Sequence, residues 1–180
     1  MSTCVALLRA INVGAHGRVT GERLREIAAG AGYPDARTYL QSGNIALDAG
    51  GDTPDAVARA LGAGLGAEGL RARVLVRTGD ELERVARAHP FEALASHESQ
   101  LHVTFLAGAA AAGRAASVPR VDGDDHSQVA GGEVYLWCPG GYGRTRLNNA
   151  FVERALRVEA TTRGWRTVRA LAAMCAGARA

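Results

Sequence analysis

The sequence contains no lysine, because all 21 of its basic residues are arginine. The chain therefore has no side-chain amine for a Schiff base and no lysine for a phosphate-binding P-loop. Arginine can bind a carboxylate or a phosphate through two parallel hydrogen bonds. A codon bias across the genome would give the same composition, and we prefer that interpretation.

Aromatic residues are scarce at 5%, so we expect a core built mainly from Leu, Val, Ile and Ala. Apolar residues make up 47% of the chain and charged residues 22%, which is typical of a globular protein. No run approaches the ~20 apolar residues of a membrane helix. We expect no signal peptide, because no basic region followed by an apolar region and a cleavage site opens the sequence.

The three cysteines, Cys4, Cys138 and Cys175, are far apart and odd in number. They show no paired spacing of the kind that binds a metal, and the five histidines form no His-x-x-x-His pattern. We therefore predict no metal and no cofactor. Unpaired cysteines also favour a reducing, cytoplasmic location.

Positive charge is concentrated at the end of the chain. From residue 144 onward, eight arginines face only Glu153 and Glu159, a net charge of +6, whereas the first 143 residues carry −3. A basic segment of this kind can bind an anionic partner such as nucleic acid. We prefer the alternative that these arginines are solvated or paired with acids of the first half, since surface pairs contribute only ~0–1 kcal/mol each.

Residues 37–48 are the most informative stretch. Two β-prone runs flank Ser42-Gly43-Asn44, which predicts a β-hairpin. The turn carries side-chain amides and a hydroxyl, so it can also hold a polar ligand.

The elements around this hairpin predict a ferredoxin-like βαββαβ subdomain over residues 1–95. A strand at residues 3–8 precedes a helix capped by Thr20, and a second helix after the hairpin is capped by Thr53. A strand at residues 73–77 leads to a third helix, which opens with a Thr78–Glu81 capping box.

Residues 96–180 predict a second, smaller α+β subdomain that ends in helices. We expect a strand at residues 101–106, an Ala-rich helix or linker at 109–116, a hairpin around Gly131-Gly132, and helices at 148–157 and 165–175.

No motif in the sequence specifies a reaction. Residues 122–133 imitate a calcium loop, but Ser127 occupies the position where the sharp turn needs glycine. The glycines at 140–143, followed by Arg144 and Arg146, can bind an anion, although a strand-to-helix turn is the preferred interpretation. Cys138 is best interpreted as structural. The predicted first and third strands carry no aromatic residues for RNA stacking.

Three polar clusters are candidate ligand sites. One contains Arg9 and Asn12, the second is the hairpin turn, and the third spans residues 161–165. In each case local hydrogen bonding is the preferred alternative: Thr162 can cap the last helix, with Trp165 in the core. The side chains we select for phosphate and amide recognition are Arg9, Asn12, Gln41, Ser42, Asn44 and Arg163.

At these clusters the chain resembles a bacterial family catalogued as domain of unknown function 1697. The matching segments are LRAINVG (8–14), TYLQSGN (38–44), VRT (76–78), PF (90–91), HVTFL (102–106) and ATTRGW (160–165). The resemblance implies two α+β subdomains, the first ferredoxin-like, and no established activity. The family pattern has Gly at Ala10 and Ala15, Asn at Gly164, and frequently Lys at Arg146.

We therefore expect a cytoplasmic protein that binds a small anionic or nucleotide-like ligand between its two subdomains. Nucleic-acid binding through the Arg-rich C-terminal segment is the first alternative. An enzyme that uses Cys138 or a histidine is the second.

Overall fold

The computed structural model describes residues 2–11, 19–40, 43–107 and 118–177. These residues form two four-stranded antiparallel sheets and five α-helices. The chain divides into two units, the first comprising Met1–Glu83 with Ala170–Ala180 and the second Arg84–Arg169. The predicted division between residues 95 and 96 stays a prediction. In the part of the chain described, no helix is both long enough and apolar enough to span a bilayer.

The first unit contains a sheet with strand order β2-β3-β1-β4. Its central strand β1 pairs with β3 on one side and β4 on the other, so that Cys4 lies between Leu47 and Thr78. Its strands and helices are β1 (Thr3–Arg9), α1 (Gly21–Gly30), β2 (Arg37–Thr38), β3 (Asn44–Asp48), α2 (Pro54–Ala67), β4 (Arg73–Thr78) and α3 (Gly79–Ala86), the last of which ends in the second unit.

The predicted helix starts are confirmed. The Thr20 hydroxyl accepts a bond from the Arg23 amide at 3.1 Å, and Thr53 accepts one from Ala56 at 3.2 Å. At α3 the capping box is reciprocal: the Glu81 carboxylate accepts from the Thr78 amide, and the Thr78 hydroxyl accepts from the Glu81 amide. Each bond satisfies an amide that the helix itself leaves unpaired.

Alternation along β1 separates two buried faces of the first sheet. One face packs against α1 and α2 in a core that includes Cys4, Ala6, Leu8, Leu24, Leu47, Val57 and Leu61. The other face carries Thr3, Val5 and Leu7, which are also buried. Because neither face is polar and exposed, the first strand reads as a continuous apolar run in the sequence.

The predicted hairpin is present, but its turn is longer than the three residues expected. Strand β2 ends at Thr38 and β3 begins at Asn44. Two bonds close the loop: the Tyr39 amide donates to the Asn44 carbonyl at 3.0 Å, and the Asn44 side-chain amide donates to the Tyr39 carbonyl at 2.9 Å.

The second unit contains a sheet with strand order β6-β7-β5-β8. The hairpin at Gly131-Gly132 is confirmed, and the Ala-rich prediction at 109–116 lies outside the described residues. The elements are β5 (Leu101–Leu106), β6 (His126–Ala130), β7 (Glu133–Trp137), α4 (Asn149–Leu156), β8 (Ala160–Gly164) and α5 (Trp165–Gly177), which continues into the first unit.

Strand β8 was not predicted, and the interpretation of Thr162 as a helix cap is wrong. Thr162 lies inside β8, directly opposite Thr104 on β5, and the two hydroxyl oxygens are 2.7 Å apart. The Thr162 hydroxyl donates to the Asn149 side-chain oxygen at 2.6 Å. Because the single proton of the Thr162 hydroxyl is used in the bond to Asn149, the Thr104 hydroxyl must be the donor in its bond with Thr162. This chain of bonds ties β5, β8 and the start of α4 together.

Replacing Gly43 by alanine is expected to destabilise the protein by about 1–3 kcal/mol. Gly43 has a φ of +74°, and a Cβ there would lie 2.5 Å from Ile11 and 2.8 Å from Leu8. Urea denaturation of Gly43→Ala measures the effect.

The matched control is Gly62→Ala inside α2, where a Cβ meets no atom within 4 Å. Because alanine favours a helix by up to about 1 kcal/mol over glycine, this variant should be at least as stable as the parent. Equal stability of the two variants would contradict the strained, crowded turn at Gly43.

Candidate functional site

Two of the six predicted ligand residues share a face of the first sheet. Asn44 pairs with Leu7 across the strands, and Arg9 is the next residue of β1 on the same side as Leu7. Arg9 is half-buried and Asn44 is fully buried. Asn12, Gln41 and Ser42 lie outside the described residues.

The sixth residue, Arg163, belongs to the second unit. It is 9% exposed and lies on β8 opposite Val103. Its guanidinium donates to the Thr161 hydroxyl at 2.8 Å and to the Thr162 carbonyl at 2.9 Å. Burial lowers the pKa of Arg163 to about 10, so the group stays charged at neutral pH.

The three cysteines are poor nucleophiles in this environment. Cys4, Cys138 and Cys175 are at most 2% exposed. Burial raises the pKa of Cys4 and of Cys138 to about 11, so both thiols are protonated at neutral pH. Since the thiolate is the reactive form, Cys138 has the properties of a core residue.

A cavity of about 280 Å³ lies where α5 begins. It is lined by residues 97–99, by residues 164–167 and by His102, all of which belong to the second unit. The strand pairing creates this site, because His102 on β5 is directly opposite Gly164, the last residue of β8.

The imidazole of His102 has different neighbours on its two sides. Tyr142 stacks on the ring, with centroids 4.6 Å apart and an interplanar angle of 23°. At Gly164 a Cβ would lie 3.9 Å from the ring, which is ordinary van der Waals contact. Glycine leaves that space open, so the cavity reaches the imidazole.

The first turn of α5 forms the adjacent wall. The helix follows β8 without a connecting residue, and Gly164 has no side chain with which to cap it. The first amides of a helix point along its axis, out of the N-terminal end, and carry a partial positive charge. Arg166 and Thr167 add a guanidinium and a hydroxyl, and Arg166 is exposed without an ion pair among the described residues.

The opposite wall is a 3₁₀ turn at Glu98–Gln100. Its cap is His97, whose Nδ1 accepts from the Ser99 amide at 3.3 Å and lies 2.8 Å from the Ser99 hydroxyl. Glu98 is the one acid that lines the cavity, and Arg169 pairs with it at 3.4 Å. This pairing partly offsets the negative charge beside the start of α5.

Two buried polar atoms at this cavity have no hydrogen-bond partner among the described residues: His102 Nδ1 and Trp165 Nε1. Trp165 is 2% exposed. A buried donor or acceptor that loses its bonds to water costs about 1–3 kcal/mol. Both residues line the cavity.

Nearby His89 shows the opposite situation, because both of its ring nitrogens are bonded. Nδ1 accepts from the Phe91 amide at 3.3 Å, so Nε2 carries the proton and donates to the His102 carbonyl at 3.1 Å. Burial lowers the pKa of His89, and also that of His102, below the ordinary value of 6.5. Both rings are therefore neutral at physiological pH.

Sequence reasoning found part of this site. The cluster at 161–165 includes Gly164 and Trp165, and Trp165 is buried as expected. His97, Ser99 and His102 were missed, because only the pairing of β5 with β8 brings them to residues more than sixty positions further along the chain. The signal present in the sequence was glycine directly before an apolar helical pattern.

Comparison with known proteins identifies the family. The family model described as "Protein of unknown function (DUF1697)" matches residues 1–135, and the chain belongs to this family. Among solved structures, the conserved bacterial protein SP0830 from Streptococcus pneumoniae is similar, with a TM-score of 0.72 and 15% identity over 97% of this chain and 98% of that chain. This likeness establishes a shared fold. No curated protein matches the chain.

The native protein is expected to react slowly with a thiol reagent such as Ellman's reagent at neutral pH, because its cysteines are buried. In denaturant all three thiols should react at once. Fast labelling of one native thiol that disappears in Cys138→Ala would contradict the structural role of that residue.

Stability is expected to decrease as the pH falls below 6.5. Below pH 6.5 His89 binds a proton in the unfolded chain, whereas burial lowers its pKa in the native protein and keeps it neutral there. The stability that is present above this pH is therefore lost as the pH falls toward the native pKa of His89. His89→Gln should make the dependence shallower but should not remove it, because His102 contributes in the same direction. Urea denaturation at several pH values measures the slope. The control is His97→Gln, which replaces an exposed histidine. If His89→Gln leaves the slope of stability against pH unchanged, buried His89 is not a source of the pH dependence.

Proposed function

We propose that this member of the DUF1697 family binds a small anion, such as the phosphate or carboxylate group of a metabolite, in the cavity where α5 begins. The observation that carries the proposal is the start of α5, where Gly164 supplies no cap. Among the described residues, Trp165 Nε1 and His102 Nδ1 at the same cavity have no hydrogen-bond partner.

The electrostatic support comes from the helix and from Arg166. A helix start is equivalent to about half a positive charge, and its free amides point toward a bound anion. Arg166 adds a full positive charge, and the positive charge of Arg169 partly offsets the negative charge of Glu98. The indole of Trp165 is a hydrogen-bond donor only, so an oxygen acceptor is the partner it lacks.

The size of the cavity supports a small ligand. Pockets that enclose drug-sized molecules measure ~300–1,000 Å³, and this one measures about 280 Å³. An inorganic anion or a short phosphorylated or carboxylated metabolite matches that volume. A whole nucleotide would extend beyond it.

The broader hypothesis places a nucleotide-like ligand between the two subdomains. Its residues in the first unit are Arg9, Asn12, Gln41, Ser42 and Asn44. Arg163 directly precedes Gly164, which lines the cavity at the start of α5. Both hypotheses therefore involve the end of β8.

Nucleic-acid binding through the C-terminal segment is the second candidate. It is favoured by the exposure of Arg144, Arg157 and Arg166 without ion pairs among the described residues. Arg144 precedes α4, Arg157 directly follows it and Arg166 lies in α5, so these arginines are a weaker feature than a single basic stripe would be. A cytoplasmic location fits either candidate.

We further propose that the first unit is ferredoxin-like. The order of its strands, β2-β3-β1-β4, and the alternation of strands with α1 and α2 support this assignment.

The sharpest test is Gly164→Asp. A Cβ at this position makes only ordinary contact with His102, so the aspartate fits and can cap α5. We expect stability to rise by roughly 0.5 kcal/mol, because the carboxylate binds the amides and complements the helix dipole. The same carboxylate competes with the anion, so calorimetry should show at least a tenfold loss of phosphate affinity. Unchanged phosphate affinity in a folded Gly164→Asp protein would refute the site.

Arg166→Gln provides an independent test, with Arg144→Gln as its matched control. Both variants remove one exposed arginine that forms no ion pair with any described residue, but only Arg166 of the two lines the cavity. Phosphate affinity should fall several-fold in Arg166→Gln and stay unchanged in Arg144→Gln. An equal loss in both variants would indicate an effect of net charge alone.

A further inference from the structure

A second and larger cavity, of about 550 Å³, lies in the second unit beside the edge strand β6. Phe91, Arg120, Asp125, His126, Ser127 and Gln128 are among the residues that line it. None of these residues lines the cavity at the start of α5. Its volume falls within the ~300–1,000 Å³ of pockets that enclose drug-sized ligands.

Aromatic rings form one wall of this cavity. His126 stacks on Trp137, with centroids 5.4 Å apart and an interplanar angle of 23°. Phe91 lies on the cavity side with its centroid 6.0 Å from that of His126, at an angle of 48°. Trp137, which is paired with His126 across β6 and β7, therefore covers one face of the imidazole. Phe91 is half-buried and His126 exposed, so both rings are open to a planar ligand.

Polar groups surround the rings. The side chains of Arg120, Ser127 and Gln128 form no hydrogen bond with any described residue. Asp125 is half-buried and accepts a bond of 2.5 Å from the Thr145 hydroxyl, which fixes one oxygen and leaves the other for a ligand. An amide, a hydroxyl and a carboxylate together can satisfy both donors and acceptors on the edge of a ring.

The local charge disfavours an anion. Asp122, Asp124 and Asp125 lie in one loop, and Arg120 is the cation of the lining. Arg146 pairs with the exposed Asp122 at 3.4 Å, and the two remaining carboxylates, those of Asp124 and Asp125, carry more negative charge than Arg120 carries positive charge. A phosphate beside this loop would meet like charge, whereas a neutral ring with an amino group would find an acceptor in Asp125.

From this combination we infer that the cavity beside β6 binds a neutral, planar heteroaromatic molecule of the purine base or nucleoside class, without a phosphate. The ring stacks on Phe91 and His126. Its polar edge bonds to Gln128, Ser127 and Asp125. This inference is independent of the anion site at α5.

The experiment uses adenosine as the probe and the full chain carrying Trp165→Phe. The chain has two tryptophans, so in this variant Trp137 is the only source of tryptophan fluorescence. Because Trp137 stacks on His126, a ligand ring that binds against His126 should change the fluorescence of Trp137 in a saturable way. Adenosine 5′-monophosphate should bind no more tightly than adenosine.

Two variants test the assigned contacts. Phe91→Leu should weaken adenosine binding at least fivefold, and Gln128→Ala, an exposed position, should weaken it severalfold without affecting the fold. Phe151→Leu on α4, which does not line the cavity, should bind adenosine as the parent does. Adenosine binding should also survive Gly164→Asp, which separates this site from the anion site.

The inference is overturned if adenosine gives no saturable signal, or if Phe91→Leu and Gln128→Ala both bind it as the parent does. Tighter binding of the monophosphate than of adenosine also overturns it, because the site would then recognise an anion. Circular dichroism of each variant confirms that a loss of binding is not a loss of structure.

Discussion

The antiparallel pairing of β5 with β8 is the constraint on which the proposed anion site depends. Its register sets His102 opposite Gly164 and Thr104 opposite Thr162. A slip of one residue would turn every side chain of β8 to the other face of the sheet. The hydrogen-bonded hydroxyls of Thr104 and Thr162, anchored by Asn149, oppose such a slip.

That register also determines how α5 begins. Since β8 passes directly into the helix, the last strand residue takes the position of the helix cap, and this residue is glycine. The fold thus places helix amides, which Gly164 cannot cap with a side chain, next to a histidine whose ring is open on the glycine side. Burial keeps His102 neutral, so the positive character of the cavity comes from the helix and Arg166.

The two buried histidines differ in how their burial is compensated. His89 has a bonded partner for each ring nitrogen, so its burial is compensated. His102 and Trp165 each retain one polar atom without a partner among the described residues. Native proteins rarely leave such atoms uncompensated, and this observation supports the proposed anion site.

Sequence reasoning succeeded where the signal was local. Thr20, Thr53 and Thr78 cap their helices because a hydroxyl at that position bonds an amide three residues later. It missed β8, because a short strand of threonine, arginine and glycine resembles a polar loop. It also missed the cavity at α5, because the spatial proximity of Ser99 and Thr167 depends on strand pairing. Asn44 was recognised as important, but it is fully buried and bonds to the Tyr39 carbonyl.

The most direct test of the anion site is a phosphate titration followed by the two tryptophan indole signals in ¹⁵N-labelled protein. Trp165 Nε1 has no partner in the described structure, so its signal should shift in a saturable way, together with the backbone amides of Arg166 and Thr167. The Trp137 indole should stay unchanged. Shifts confined to other parts of the chain, or none at saturating phosphate, would contradict the account.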